Sequence, residues 1–313
     1  DQRRTDFMFE QLIKDVCQKL NIKIQSFSMN YAFLLNNGKC KHLIVGYKFD
    51  LNNMAAGLVA DDKYALYKLL KLNNIPVIEH EIFYEFNNKD DYAVGHNTYL
   101  DTYNYFLAHN KDIVLKPNKG TCGNNVFRIN DEESLKEKLE KVLVKNFSIS
   151  LCPYYHIEKE YRVIVLDGKV ELSYAKQKPV VVGDGKSTIK ELLNKFNPNY
   201  FNKDEHFYNE NIDLNYIPNQ NEKVEYSWLF NLSKGAIVEE TVDNEIITLA
   251  LEAYKVSGLR FCSVDVIRTT DGKIMIMEIN SGVMISNYVN LVTNGYNKAY
   301  KVYKDAIEAM FKG

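Results

Sequence analysis

The stretch CSVDVIRTTDGKIMIMEIN, residues 262–280, carries three oxygen-bearing side chains that could share a cation. Asp271-Gly272 lies between two extended runs and is a strong hairpin signal, because both residue types tolerate the positive φ of a tight turn. A two-residue turn there pairs positions whose numbers sum to 543, which sets Asp265 opposite Glu278 and puts Asn280 on the same face. Opposed like charges destabilise a sheet, so the arrangement makes sense with a cation between them. All three donors are hard oxygens, which suit Mg²⁺ or Mn²⁺ better than zinc. The competing reading is the solvated polar face of an edge hairpin, and a three-residue turn would break the register.

A second cluster, KPNKGTCGNN at 116–125, sits between extended-type runs at 112–115 and 126–129. Gly120, Gly123 and the asparagine pair can adopt positive φ, so successive N–H groups can line a nest for phosphate oxygens, with Lys116 adding a point charge. An ordinary hairpin loop with a surface lysine is the alternative. Gly183-Asp184-Gly185-Lys186-Ser187-Thr188 ends like a Walker A loop, but the opening glycine would have to stand at 180, where the residue is Val180. Those residues are expected to form a turn, with Ser187 or Thr188 capping the next helix.

The elements that must hold these clusters follow from periodicity. Phe9, Leu12, Ile13, Val16 and Leu20 form a helical stripe before an extended Ile22–Ile24. Residues 61–72 predict a helix capped by Asp61 or Asp62 and ended by Asn73-Asn74. Extended runs at 112–115, 126–129, 148–151, 161–166 and 170–176 alternate with a helix over 134–145, and Asp167-Gly168 is a second hairpin signal. This predicts an α+β chain with mostly antiparallel pairing. Asn197–Glu225 is long, polar and without periodicity, which points to a functional or ligand-ordered loop.

Composition sets limits on function. With 39 Lys+Arg against 41 Asp+Glu in 313 residues, there is no basic footprint for nucleic acid. The longest apolar stretches, such as Met54–Ala60, are far too short to cross a bilayer, and the opening DQRRTDF is polar. The expectation is a soluble, cytoplasmic protein with neither nucleic-acid nor membrane partners. Five scattered cysteines without a CxxC suggest reduced thiols, with no disulfide framework or zinc site.

Taken in order, strand-Lys-Pro-Gly-loop-strand, then Glu-Tyr-Arg-Val, then Asp…Glu-x-Asn resembles the ATP-grasp superfamily of carboxylate-amine ligases. The resemblance spans residue 61 to about 290. It is nearest to the RimK-like branch that holds the ATP-grasp domains of cyanophycin synthetase and bifunctional glutathione synthetase. EYRVIVLDGKV, KPVVVGDGKSTIKELL, NLSKGAIVEETV and CSVDVIRTTDGKIMIMEIN look like that branch's successive blocks. It implies two α+β lobes holding ATP between them, preceded by a small α/β N-terminal domain. The boundaries expected are 1–60 for the N-terminal region and 61–313 for the ATP-grasp domain, with a lid lobe at about 80–150 and a large lobe at 151–313.

Residue by residue, the resemblance implies that Lys116 contacts ATP phosphate, with Lys119, Gly120 and Gly123 in the nucleotide-binding lid that runs to Asn125. Leu151, Cys152, Pro153 and Tyr154 look like the hinge whose backbone receives adenine, and Glu160 like the ribose-binding carboxylate. Asp265, Glu278 and Asn280 resemble the ligands of two Mg²⁺ ions, for which Mn²⁺ can substitute. A second nucleotide lysine is expected from Lys63 or Lys68, with Lys68 favoured. Arg162 is similar to an arginine near the transferred phosphate, its alternative being a partner of Glu171, and Lys176 or Lys178 to a basic position near the acyl phosphate.

The chain departs from the pattern at Asn125, where a third glycine is common, and at Ser281-Gly282-Val283-Met284, which replaces a Pro-Gly. Ser263 stands where D-alanine ligases have an arginine, which disfavours that activity. The reaction implied is phosphoryl transfer from ATP to a small carboxylate, giving an acyl phosphate that an amine attacks to form an amide or peptide bond. Asn197–Glu225 is the candidate for acceptor recognition, and a homodimer is compatible with such folds. The rivals are a small-molecule kinase on the same fold and a nucleotide-binding protein without catalysis.

Overall fold

The computed structural model describes residues 6–84, 99–120, 123–143, 148–196, 209 and 212–312. Helix α1 (Phe7–Lys19) leads into strands β1 (Lys23–Phe27), β2 (Ala32–Asn36), β3 (Lys41–Val45) and β4 (Lys48–Phe49), then helices α2 (Met54–Asp61) and α3 (Lys63–Leu72). β5 (Glu81–Tyr84), α4 (Tyr99–Ala108), β6 (Ile113–Pro117), β7 (Phe127–Ile129), α5 (Glu132–Leu143) and β8 (Ser148–Pro153) follow. Next come β9 (Ile157–Leu166), β10 (Lys169–Gln177), β11 (Val180–Val182), α6 (Ile189–Phe196) and β12 (Lys223–Glu225). The last elements are β13 (Ile237–Glu239), α7 (Asn244–Ser257), β14 (Phe261–Thr269), β15 (Ile274–Asn280), α8 (Ser286–Val289) and α9 (Gly295–Lys312). No described helix is long and apolar enough to cross a membrane.

The chain divides into two compact units. Unit one comprises Asp1–Ile78, Glu160–Ala175 and Val238–Gly313, and unit two comprises Glu79–Lys159 and Lys176–Ile237. This partition differs from the expected one. The first sixty residues share a unit with the acidic hairpin, and residues 176–237 leave the stretch expected as one large lobe. The reason lies in contacts between residues far apart in sequence. Asn52 accepts backbone N–H bonds from Arg260 and Phe261 at 2.9 Å and donates to the Phe261 carbonyl at 2.7 Å. Asp6 accepts from Ser286 Oγ at 2.8 Å, and Phe9 on α1 packs edge-on against Tyr303 on α9.

Unit one has an antiparallel sheet in the order β1-β2-β3-β4 and a five-stranded sheet in the order β13-β10-β9-β14-β15. Val163 and Val165, Val264 and Val266, and Ile276 and Ile279 come from three adjacent strands of the latter. They bury one face against Ile246, Ala250 and Ala253 of α7 and Leu66 and Leu70 of α3. The helices start and stop where their caps dictate: Asp62 accepts from Ala65 N at 3.0 Å, Asp243 accepts from Glu245 N at 3.1 Å, and Gly258 ends α7 at φ +71°.

Unit two has the antiparallel sheet β5-β8-β6-β7, whose core joins Leu115, Phe127, Ile149 and Leu151 to Leu135 and Leu139 of α5. Residues 176–237 add the pair β11-β12 and a separate small core of Val181, Ile189, Leu193 and Tyr226. The part of Asn197–Glu225 from 212 onward is therefore more ordered than expected. Residues 197–208, 210 and 211 lie outside the described residues.

Candidate functional site

In unit one, three adjacent strands carry the acidic site. Asp265 on β14 pairs directly with Glu278 on β15, and Ser263 pairs with Asn280. That is the expected register, reached by a different route. Thr269 N donates to Lys273 O at 2.9 Å, one residue before β15 begins, so the turn inside that closure has three residues, Thr270, Asp271 and Gly272. Pairs near the loop follow Val266↔Ile276, and a register shift between Asp265 and Val266 leaves Met277 without an opposite number. This β-bulge absorbs the extra loop residue. It also explains why Ile276 and Ile279, three positions apart, both reach the same core.

Asp265 is 0 % exposed, and a carboxylate buried so deeply must be matched by positive charge. Arg162, on the neighbouring strand β9, supplies it. Its Nε donates to Oδ1 at 2.8 Å and its Nη2 to Oδ2 at 2.6 Å, a bidentate fork. Burial by itself would pull the guanidinium pKa down, but Asp265, Tyr174 and Glu160 outweigh it and hold Arg162 well above the ordinary arginine value. The alternative partner for Arg162, Glu171, is instead held by Lys169 and Lys301 at 2.8 and 2.7 Å. Asn280 turns its amide nitrogen, not its oxygen, to the acids: Nδ2 donates to Glu278 Oε1 at 3.0 Å and to Asp265 Oδ2 at 3.3 Å.

Among the described residues no group of three or more His, Cys, Asp or Glu side chains could hold a metal, so a cation here relies on the asparagine as third donor. The donor set fits Mg²⁺: two opposed carboxylates and one amide, all hard, with the amide needing only a turn of its plane. Glu160 is buried on β9, two residues before Arg162 and on its face. Lys68 is exposed on α3 with its ammonium 4.9 Å from the centroid of the Tyr64 ring.

In unit two, Lys116 is buried near the end of β6, opposite Ser150 on β8. Sequence reasoning passed over the buried pair beside it, in which His80 Nδ1 lies 2.7 Å from Ser150 Oγ. Its one signal is strand alternation, which puts Ser150 and Lys116 on the same face. After β6, Lys119 and Gly120 are exposed, and Gly123 and Asn125 take positive φ, +68° and +55°, whereas Gly120 does not. Thr121 and Cys122 lie outside the described residues. A Cβ on Gly123 would sit 3.5 Å from Asn231 Nδ2, which brings the NLSK block beside this loop.

The segment expected as the adenine hinge is the end of β8, and part of its backbone pairs with the neighbouring strands. Leu151 pairs with Glu81 on one side and Leu115 on the other, Cys152 pairs with Val114, and Tyr154 N donates to Asp112 O at 3.0 Å. Pro153 has no N–H to offer. The Tyr154 ring stacks on Arg128, 3.8 Å from guanidinium carbon to centroid. Lys176 is buried on β10, and Lys178 sits 3.5 Å from Glu225. The Walker-like loop is a turn, as expected. Asp184 accepts from Lys186 N at 2.9 Å and Ser187 N at 2.6 Å, so these N–H groups are taken by the protein's own carboxylate. Thr188 and Glu191 cap α6 reciprocally at 2.8 and 3.2 Å.

Residues 221–303 match the RimK-like ATP-grasp domain. The chain is 26 % identical over 281 residues to the bifunctional glutathione biosynthesis protein GshAB of Streptococcus mutans, covering 82 % of this chain and 36 % of that protein. It is 25 % identical over 281 residues to the cyanophycin synthetase of Trichormus variabilis, covering 83 % of this chain and 30 % of the relative. The chain thus spans about a third of the length of these curated relatives. Among solved structures, the bifunctional glutathione synthetase from Pasteurella multocida superposes with a TM-score of 0.56 at 16 % identity, over 96 % of this chain and 44 % of that one. The acidic hairpin falls inside the matched segment. The chain has the α+β ATP-grasp fold and carries a RimK-like ATP-grasp domain, distantly homologous to the ATP-grasp regions of glutathione-forming bifunctional proteins and cyanophycin synthetases.

Proposed function

We propose that this chain is an ATP-dependent carboxylate-amine ligase that acts on small carboxylates and amines, of amino-acid or short-peptide type. The observation that carries this reading is the Asp265–Glu278 pair, opposed across two strands with Asn280 beside it and Arg162 on the next strand. The relatives are named for glutathione biosynthesis and cyanophycin synthesis, which agrees with it.

Mg²⁺ held by Asp265, Glu278 and Asn280 would neutralise phosphate oxygens of ATP. Arg162 is the group on that sheet face that can draw charge from the transferred phosphoryl group. In unit two, Lys116, Lys119, Gly120 and Gly123 serve the nucleotide phosphates. Lys176 serves the acyl phosphate. The substrate carboxylate oxygen attacks the γ-phosphorus as the bond to ADP breaks; the amine then attacks the acyl carbon, phosphate leaves, and the amine's proton goes to solvent or a basic group. Residues 197–225 remain the candidate for acceptor recognition.

The test is phosphate release from Mg·ATP across a panel of amino acids, dipeptides and other carboxylate–amine pairs, with Glu278→Ala as the blank and mass spectrometry of each active mixture. Release that needs both substrates and yields their condensed mass is the expected result. A phosphorylated product formed without amine would replace the ligase with a kinase.

A further inference from the structure

The Asp265 carboxylate, inaccessible to solvent, has both oxygens engaged by the Arg162 fork at 2.8 and 2.6 Å. Asn280 Nδ2 reaches both Asp265 Oδ2, at 3.3 Å, and Glu278 Oε1, at 3.0 Å. Two independent side chains therefore present N–H donors to the two opposed acids. A guanidinium and an amide NH₂ stand where a divalent cation would stand. A buried carboxylate stripped of its counter-charge is strongly disfavoured, so Asp265 requires one positive partner at all times. A second cation placed beside a guanidinium that has stayed put would meet its repulsion at close range.

We propose that Arg162 is an exchangeable counter-ion of Asp265, displaced when a divalent cation binds between Asp265 and Glu278 while the Asn280 amide turns its oxygen inward. The inference rests on the reading of these acids as cation ligands. It adds an order of events: Arg162 is locked onto Asp265 until the cation arrives, and its N–H donors become available to an anionic substrate only afterwards. Arg162 is then a switch that ties phosphate recognition to metal loading. A permanent structural bridge would leave the fork unchanged by metal.

The two cases separate without nucleotide. The chain has six arginines, and among the described residues two others make comparable forks: Arg128 on Asp112 and Arg260 on Asp167, each with both bonds at 2.8 Å. With ¹⁵N-arginine labelling, the Arg162 Nε–H signal, assigned by its absence in Arg162→Gln, is expected to be slow to exchange in EDTA. Added Mg²⁺ should shift it and strip its protection while the Arg128 and Arg260 signals stay in place. Removing the competitor should also tighten Mn²⁺ binding to Arg162→Gln by about tenfold or more over wild type, as followed by the free-Mn²⁺ resonance signal. Arg162→Lys, which keeps a charge but loses the fork, should fall between them and remains testable if the glutamine variant folds poorly.

An Arg162 signal unmoved by saturating Mg²⁺ overturns the proposal, as does Mn²⁺ affinity in Arg162→Gln no tighter than in wild type, or no cation binding by any of the three proteins. Because ATP is absent throughout, failure of every substrate pair in the ligase panel would sink the proposed reaction and leave this result standing.

Discussion

Asp167-Gly168 closes the β9–β10 hairpin with both residues at positive φ, +46° and +79°, whereas Asp271-Gly272 closes β14–β15 inside a three-residue loop in which only Gly272 crosses over, at +82°. The same dipeptide makes two turns because its neighbours differ. Arg260, just before the adjacent strand β14, grips the Asp167 carboxylate and accepts from Asp167 N at 2.8 Å. In the other loop the Thr269 hydroxyl donates to Asp271 and accepts from Lys273 N at 3.0 Å, which favours the longer closure. The longer loop shifts the pairing of β15 by one residue, and the bulge at Met277 restores the register for Glu278, Ile279 and Asn280. A turn motif thus fixes that a hairpin forms, while the residues around it decide what the strands present.

The sharpest way to break this comparison is to remove matching charges from the two hairpins. Glu278→Gln should cut phosphate release, measured with whichever substrate pair the panel identifies, by about a hundredfold or more. Glu171→Gln on the plain hairpin, where Lys169 and Lys301 take the charge, should leave it nearly unchanged. Equal losses would mean that the bulged hairpin has no special role.

Stability measurements test the bulge itself. Ile276→Ala and Ile279→Ala should each cost about 2–4 kcal/mol in chemical denaturation, and Met277→Ala about 1 kcal/mol or less. In a regular strand Met277 would share the core face with Ile279, so a methionine as costly as its neighbours would rule the bulge out.

At the turns, Gly168→Ala and Gly272→Ala should each lose about 1–2 kcal/mol, since both positions lie in the left-handed region. A loss at only one would show that the other turn rearranges freely. The smallest effect concerns pH. Lys273 and Thr269 hold the Asp271 carboxyl down to about 2. Its contribution to stability is complete above the ordinary aspartate value near ~4 and fades as pH falls through the folded value. Carboxyl NMR should show Asp271 still ionised at pH 3, and the melting difference between wild type and Asp271→Asn should shrink as pH falls from about 4 to about 2.

The opposition of Asp265 and Glu278 was legible from strand alternation and a hairpin signal, but its derivation assumed a two-residue turn and a regular strand. The structure has neither, and the two deviations cancel. The caps of α3 and α6 were readable because Asp62, Thr188 and Glu191 act within a few residues of where they stand. What escaped depends on distant partners. Asn52 ties the N-terminal region to β14 over two hundred residues away, so no local pattern could assign residues 1–60 to that unit. The pairing around the Leu151–Tyr154 segment escaped for a related reason: strands β5 and β6 flank Leu151, and their registers cannot be inferred from β8 alone. Arg162 on Asp265 could not be foreseen because no hairpin links β9 to β14.

Trp228 is the single tryptophan of the chain, and its ring lies 5.9 Å from that of Tyr154, which in turn stacks on Arg128. The same stretch continues to Asn231, beside Gly123 of the lysine loop. Excitation at the red edge of the absorption band would therefore address one residue, placed where unit two gathers its candidate nucleotide ligands. The protein carries a built-in optical reporter, with which nucleotide arrival could be timed on unlabelled material before any substrate is known.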